Sequence, residues 1–369
     1  MTTTKLSRQQ FIRSGAALAL APLAACTGAD GTGSYAAAVQ TIWQPSATPI
    51  GGKLALQREL VRCATLAPSG HNTQCWKFHI EQDSISILPD LLRRTPVVDP
   101  DDHHLFVSLG CALENLAQAS IAYGLNARPQ FDATKDVVTV MLSPTTPLAS
   151  PLFNAITDRQ TTRSVFDGKP LTVPELHMLE LASAGKGVHM MLFTAKPDME
   201  KILDLVLQGN TTQLNDVIFV KELKQWLRFG AGDAVKTGDG LYSITSGNPS
   251  APRWLGSPLF DIMVSAHSEN DKYAKQTRSS AGMAVFVSEV DDKAHWIEAG
   301  RCYERFALQA TSMGIRNAML NQVVEVPLMR RELADFLGLQ GGRPDLVVRF
   351  GRGAKMPQSL RRRLDDVLI

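Results

Sequence analysis

From Leu54 to Leu66 apolar residues recur at helical spacing, and Pro68-Ser69-Gly70 ends the pattern. Trp76 to Leu88 alternates as a hairpin does, with its turn near Gln82-Asp83-Ser84. A long helical stretch, Leu105 to Leu125, ends at Gly124, and the β-branched run Asp136 to Leu142 predicts a strand. Pro144 to Pro151 has the look of a linker. Beyond it the pattern predicts helices at Ile156 to Arg163 and Pro174 to Ala184, a strand at Gly187 to Thr194, and helix through Met199 to Phe229. A loop-rich insertion follows, and strand Met283 to Glu289, helix Trp296 to Ile315 and strand Asp345 to Phe350 close the chain. Strands interspersed with long helices, without regular βαβ spacing, predict an α+β fold.

The chain also repeats itself. Gly110, Glu114, Ala117 and the terminal Gly124 recur as Gly300, Glu304, Ala307 and Gly314, each 190 positions later. Two amphipathic helices can share glycine and alanine by chance, but matched offsets favour a duplicated half, a dimer fused into one chain.

The 369 residues, 44% apolar, suffice for one large or two medium domains. The first 25 residues hold Lys5, Arg8 and Arg13 and no acid, so the 38 basic residues fall to 35 beyond them, against 36 acidic. Near-neutrality argues against nucleic acid as a partner. Residues 1–26 read as a signal segment: a basic start, the apolar run Gly15 to Ala25, then small residues. Ser7-Arg8-Gln9-Gln10-Phe11-Ile12 resembles a twin-arginine export signal with Gln9 in place of the second arginine, and Leu23-Ala24-Ala25-Cys26 resembles a lipobox with Cys26 as the lipidated residue. A plain signal peptide cut nearby is the alternative. The expectation is therefore an exported chain in a bacterial periplasm or cell envelope, touching the membrane through its lipid alone. Residues 27–52, rich in small residues and proline, are expected to be a flexible tether, followed by a first half at 53–150 and a second at 151–369 with an insertion near 230–275. Cys63, Cys75, Cys111 and Cys302 have neither zinc-site nor disulfide-framework spacing and are expected as buried thiols.

Two polar clusters stand out, one in each half. The first, Ala67-Pro68-Ser69-Gly70-His71-Asn72-Thr73-Gln74-Cys75-Trp76-Lys77-Phe78, puts polar groups between a helix end and a strand. The second, Arg159-Gln160-Thr161-Thr162-Arg163, sets two guanidinium groups around hydroxyls, an arrangement that grips a phosphate dianion through paired, charge-assisted hydrogen bonds. Taken alone it better suits an exposed helix turn with arginines at i and i+4. His103 and His104 follow Asp99, Asp101 and Asp102, but acidic residues gather naturally at a helix start, so no metal is expected. No dinucleotide-binding glycine motif, phosphate-binding loop or nucleophile elbow occurs.

The first cluster resembles the A-P-S-x-x-N-x-Q-P-W-x-F signature of the FMN-dependent nitroreductases, with Cys75 in place of proline, and the second resembles that family's R-x-[ST]-x-R opening motif. In an ordinary member the arginine motif precedes the turn within one subunit. Here the first half has the turn without the arginines, and the second has the arginines while Ala182-Ser183-Ala184-Gly185-Lys186-Gly187 stands where the turn belongs. The resemblance is closest to the fused, signal-bearing Acg-like branch. It implies a nitroreductase-like α+β pseudo-dimer with one composite FMN site and a dead symmetric counterpart. It further implies phosphate contacts from Arg159, Thr161, Arg163, Arg361 and Arg362, ring contacts from Ser69, His71 and Asn72, and a loop over the ring at Leu320, Asn321 and Gln322. No protein group is expected to be catalytic, because the flavin carries the chemistry. The function so implied is an FMN-dependent oxidoreductase acting on a quinone, nitroaromatic or similar small acceptor, with NAD(P)H as a possible donor. The alternative is a protein that stores or sequesters FMN with little turnover.

Overall fold

Two four-stranded antiparallel sheets repeat one design. The computed structural model describes residues 31–45 and 51–369. The signal and lipidation expectations at residues 1–26, Cys26 included, lie outside the described residues. The first sheet comprises β1 (Trp76–Ile80), β2 (Ser84–Pro89), β3 (Leu125–Asp132) and β4 (Val137–Pro144), in the order β1-β2-β4-β3. The second comprises β5 (Val188–Phe193), β6 (Gly282–Ser288), β7 (Arg316–Met319) and β8 (Arg343–Gly351), in the order β5-β6-β8-β7. In each, a long helix joins the second strand to the third: His103–Ala122 in the first half and Lys293–Ser312 in the second. The expected α+β fold of two diverged halves, closed on each other as a pseudo-dimer, is the fold observed.

These two helices cross at the molecular centre, and their sequences are built for the contact. A Cβ on Gly110 would lie 1.9 Å from the Ile297 carbonyl oxygen, and one on Gly300 would lie 1.9 Å from that of Val107. The contacts are reciprocal at the 190-residue offset, which is the signature of a two-fold axis. Cys111 Sγ donates to the Gly300 carbonyl at 3.3 Å across the same crossing. Around it Leu109, Leu113, Ala299, Tyr303 and Phe306 are buried in one continuous core that both sheets share. Like the other three cysteines of this region, Cys111 remains a buried thiol.

Two segments of the second half extend the sheet edges, one on its own sheet and one on the first. Thr161 bridges Asn317 at the β7 edge of the second sheet, and the C-terminal tail bridges Phe78 through Leu368 at the β1 edge of the first. Ile369 N–H donates to the Phe78 carbonyl at 3.0 Å.

Several local expectations are corrected. Within the supposed tether, Thr32–Ile42 is a helix. Tyr35, Ala38, Val39 and Ile42 fall on one helical face, which packs on Ala231, Tyr242 and Leu360, while Trp43 is buried against Leu66, Ile156 and Leu308. Small residues masked that periodicity. The helix expected at Ile156 to Arg163 is instead Pro151–Ala155, and the chain beyond it extends to reach the sheet edge. Strands β3 and β7 escaped notice because Leu125–Asp132 carries mostly exposed or polar residues and Arg316–Met319 is short. The insertion holds helices Ala231–Thr237, Arg253–Met263 and Ala266–Arg278 and folds back over the second half.

Substituting Gly300 by Ala forces backbone apart from backbone, where no side chain can yield. The cost is expected at the upper end of the ~1–3 kcal/mol typical of overpacking. A urea titration of Gly300→Ala should show a clearly lowered midpoint, whereas Gly314→Ala, where nothing crowds the site, should lose only the smaller cost of its positive φ.

Candidate functional site

Helix Gly52–Thr65 ends against a turn under unusual backbone constraint. His71, Asn72 and Gln74 all take positive φ, at 48°, 54° and 53°. Non-glycine residues adopt this region rarely, and such clusters persist only where surrounding contacts enforce them. Here the enforcement is explicit. Ser69 Oγ accepts from Gln74 N–H at 2.9 Å, Asn72 Nδ2 donates to the carbonyls of Gly240 and Leu360, and Gln74 Nε2 donates to that of Gly238. The insertion and the C-terminal tail thus hold the first-half turn in shape.

Facing this turn is the extended segment 160–164 of the second half. Its backbone is pinned by Arg349, whose guanidinium donates to the carbonyls of Thr162, Ser164 and Gln276 and lies 4.2 Å from the centre of the Phe166 ring. Gln276 Nε2 completes the grip on the Arg163 carbonyl at 2.9 Å. Arg349 has no acidic partner among the described residues; burial, then the charge of Arg163, pushes it down to about 9. The consequence is that the Arg163 side chain is directed inward.

A cavity of about 280 Å³ lies between turn and segment, and a second of about 50 Å³ adjoins it. Pro68, Ser69, Thr161, Arg163 and Leu241 line both. The larger also meets Gly70 and His71 from the first half and Met319, Asn321 and Gln322 from the second. The smaller is ringed by Arg159, Arg163, Arg361, Asn72 and Trp43. The two clusters separated by some 90 residues in sequence therefore form one site.

Its charges are unbalanced. The Arg163 guanidinium makes no hydrogen bond or ion pair with any described residue, and burial lowers its proton affinity. Arg159 lies 3.1 Å from Glu304, and its Nη2 donates to the Leu66 carbonyl, but its buried Nη1 has no acceptor. Glu304 is itself pushed up to about 7, by burial that outweighs the attraction of Arg159. His71 Nδ1 is buried without a partner. Such orphaned donors around a small polar cavity fit an anion with several acceptor oxygens.

Not every expected residue serves the cavity. Arg361 borders it, but its N–H groups are spent on the carbonyls of Thr65, Leu66, Ala67 and Leu360 and on Asn72 Oδ1, so it fastens the helix end. Arg362 turns away, to Gln74, Asp90 and the Asp366 carbonyl. Leu320 is buried in the second-half core with Val323 and Val347, because strand alternation points it to the other face. Asn321 and Gln322 do line the larger cavity, and Asn321 bridges Val347 N–H and His104.

Other lining residues were missed. His104, Glu325, Gln213 and Tyr273 reach the larger cavity, as do Leu241 and Phe260 of the insertion. For His104 the signal was the paired histidines. Asp99, His103 and His104 bring donor atoms within 4.8 Å of one another, yet those atoms are engaged: both Asp99 oxygens accept helix N–H groups of His104 and Leu105, and the histidines bond to each other.

The pseudo-symmetric position is filled. Arg305 donates to the carbonyls of Ala182 and Ala184 and pairs with Glu114, which also holds Arg301. A Cβ on Gly185 would lie 2.2 Å from Cys302 Sγ and 2.8 Å from Glu298. Side chains occupy the space that the first half leaves open.

His71 gives a pH prediction. Burial, then the charges of Arg163 and His104, pushes it down from the ordinary 6.5 to about 4. A depressed folded-state pKa contributes stability that is intact above the unfolded value and lost as pH falls through the folded one. Denaturant titrations of the wild-type chain between pH 6.5 and 4 should show falling stability, with a shallower fall in His71→Gln.

No known family model matches the chain. Over 327 residues it is 25% identical to a candidate NAD(P)H nitroreductase of Mycobacterium tuberculosis, spanning 84% of this chain and 90% of that one. An uncharacterized protein of the same organism is 23% identical over 335 residues, covering 84% and 92% of the two chains. Among solved structures, a nitroreductase with bound FMN from Desulfitobacterium hafniense is similar with a TM-score of 0.37 at 14% identity, covering 58% of this chain and 96% of that one. A nitroreductase with bound FMN from Bacteroides fragilis has a TM-score of 0.35 at 13% identity, covering 56% and 89%.

Proposed function

We propose that this chain is a nitroreductase-type flavoprotein of the fused, Acg-like branch that binds one FMN in the composite site and passes electrons to a quinone, nitroaromatic or similar small acceptor. The observation that carries the reading is Arg163, a half-buried guanidinium without a partner among the described residues, set where a small arginine-ringed cavity opens into a larger mixed one. The residues fit the cofactor. Arg163, Arg159 Nη1 and the Thr161 hydroxyl would take the phosphate, and Ser69, Gly70 and His71 would border the ring from the first half. Bound there, FMN supplies two-electron transfer through its ring. The protein contributes position, exclusion of water and electrostatics. Arg349 and Gln276 fix the backbone on which Arg163 is carried, and the insertion residues Leu241, Phe260 and Tyr273 wall the larger cavity. Sequence similarity along most of both chains supports NAD(P)H as the electron donor.

That same wall supports a second reading, FMN storage with little turnover, since it narrows access for a donor. The amino-terminal pattern supports export to a bacterial periplasm or cell envelope and anchoring through a lipid on Cys26.

The visible spectrum and bound-flavin stoichiometry of the purified chain test the reading, with about one FMN per chain as the expected result. A colourless, folded protein after reconstitution would sink it. Bleaching by NADH or NADPH separates the reductase from the store, which would bleach with dithionite alone. Arg163→Ala removes a charge-assisted contact worth about 1.5–3 kcal/mol, or roughly one to two powers of ten in Kd. Lys186→Ala, at the filled position, should leave flavin affinity unchanged in the same fluorescence titration.

A further inference from the structure

Behind the larger cavity runs a chain of hydrogen bonds that flavin binding does not explain. Ser288 Oγ donates to Asp345 Oδ2 at 2.5 Å, Asp345 Oδ1 meets His103 Nε2 at 2.8 Å, and His103 Nδ1 meets His104 Nδ1 at 2.9 Å. His104 Nε2 then meets Asn321 Nδ2 at 3.1 Å, with Glu325 Oε1 3.6 Å away. His104, Asn321 and Glu325 line the cavity, whereas Asp345, His103 and Ser288 are buried behind it. Asp345 owes its position to a break in strand register between Pro344 and Leu346, a bulge that re-aims its side chain out of the ladder pattern.

Donor accounting fixes the tautomers. Asn321 Oδ1 accepts from Val347 N–H, so the Asn321 amide group donates, and His104 Nε2 must accept. His104 then carries its proton on Nδ1 and donates to His103 Nδ1, which leaves His103 Nε2–H to donate to the Asp345 carboxylate. Every group is satisfied. The reverse arrangement holds one more proton: Asp345 protonated and donating to His103 Nε2, His103 Nδ1–H donating to His104 Nδ1, and His104 Nε2–H released from the Asn321 amide and turned towards Glu325, 3.6 Å away, and the cavity. A chain that runs from Asp345 to the cavity in either sense, the two senses differing by one proton, is a relay.

We propose that Asp345, His103 and His104 form a proton relay that delivers one proton per turnover to the acceptor bound in the larger cavity, with His104 Nε2 as the donating atom. The part played by the acceptor rests on the flavoprotein reading above; the relay itself is a property of the protein. A quinone that takes up a hydride from reduced flavin needs one further proton to become the quinol. As the acceptor O–H bond forms, the His104 Nε2–H bond breaks. His104 Nδ1 takes the proton of His103 Nδ1, and His103 Nε2 takes that of Asp345. Asp345 is left as a carboxylate, and water entering through the open cavity returns the proton by the same steps in reverse.

The surroundings suit each station. Burial, against the hydrogen bond from Ser288 and the charge of Arg343 and with Asp291 assisting, pushes Asp345 up to about 7. For His103, burial and the charges of His104 and Arg343, opposed by Asp99 and Asp101, keep a second proton off. Trp296 covers its ring edge-on at 5.3 Å. His104 sits above the ordinary imidazole value: burial and Arg343 work to lower it, but Asp99 and Glu325 outweigh them. His71, the remaining titratable group facing His104, stays neutral at pH 7.

The test is nitrogen-15 NMR of the imidazoles in the full chain, with and without bound flavin, using His104→Gln for assignment. Below a shared midpoint near pH 7, His103 should carry its proton on Nδ1 and His104 on Nε2. Above it both should exchange positions together. Asp345→Asn keeps the shape but cannot supply a proton; its amide oxygen accepts from Ser288 and its –NH2 donates to His103 Nε2, so it should abolish the switch and hold the low-pH arrangement. In that variant kcat for quinone reduction should fall at least tenfold and lose its decline above the midpoint, with KM and flavin stoichiometry unchanged. Histidines that titrate independently, or an Asp345→Asn variant that switches as the parent does, would overturn the relay. Absence of flavin from the wild-type chain would overturn the flavoprotein reading instead, and the imidazole spectra would still be readable.

Discussion

The reciprocal approach of Gly110 and Gly300 governs the molecule. Two helices can meet backbone to backbone only where side chains are absent on both sides, and once they do, each half is fixed against the other with little room to shift. Everything in the site depends on that fixity. The turn at Ser69 to Gln74 belongs to one half and the segment at Arg159 to Arg163 to the other, and neither makes a cavity alone. An interface in an ordinary dimer forms this way too, but here the chain cannot dissociate.

Fusion also releases the two halves from having to match. Glu114 and Glu304 occupy equivalent places and have taken different partners, one paired with Arg301 and Arg305, the other with Arg159. On one side an arginine fastens the helix end and its neighbours fill the space; on the other the space stays open and Arg163 is left without a counter-charge. Enclosing cations such as Arg163 and Arg349 without acids beside them is costly. A dianion held between them would offset that cost. A neutral His71 and a raised Glu304 are smaller signs of the same imbalance.

Much of this was legible in the sequence, for identifiable reasons. Helix periodicity gave the two central helices within a few residues of their ends, and the matched glycines gave the pseudo-dimer, since close approach leaves a mark that only glycine can make. Ser69, Asn72 and Arg163 stood in motifs whose chemistry is local. What could not be read was set by tertiary contact. Arg361 and Arg362 are adjacent, and whether either serves a ligand is decided by which carbonyls lie near. Leu320 differs from Asn321 only by strand alternation, and β7, which sets that alternation, is too short to show a period. Glu325 joins His104 through a helix of four residues, and the bulge at Asp345 has no mark in its sequence. The helix Thr32–Ile42 was hidden by the same small residues that let it lie close to Ala231.

That helix and Trp43 just beyond it lie against the segment 358–361. Tyr35 Oη donates to the Gln358 carbonyl at 2.6 Å, Trp43 Nε1 donates to that of Ser359 at 2.9 Å, and the Trp43 ring lies over Arg361 at 4.9 Å. Contacts that span more than 300 residues form late, because the whole intervening chain must exist before they can be made. The smaller cavity is walled by Trp43 on one side and by Pro357, Ser359 and Arg361 on the other, so it is complete only when these distant parts of the chain meet. A change at Tyr35 or Trp43 therefore reaches the cavity through the tail, from more than 300 residues away in sequence.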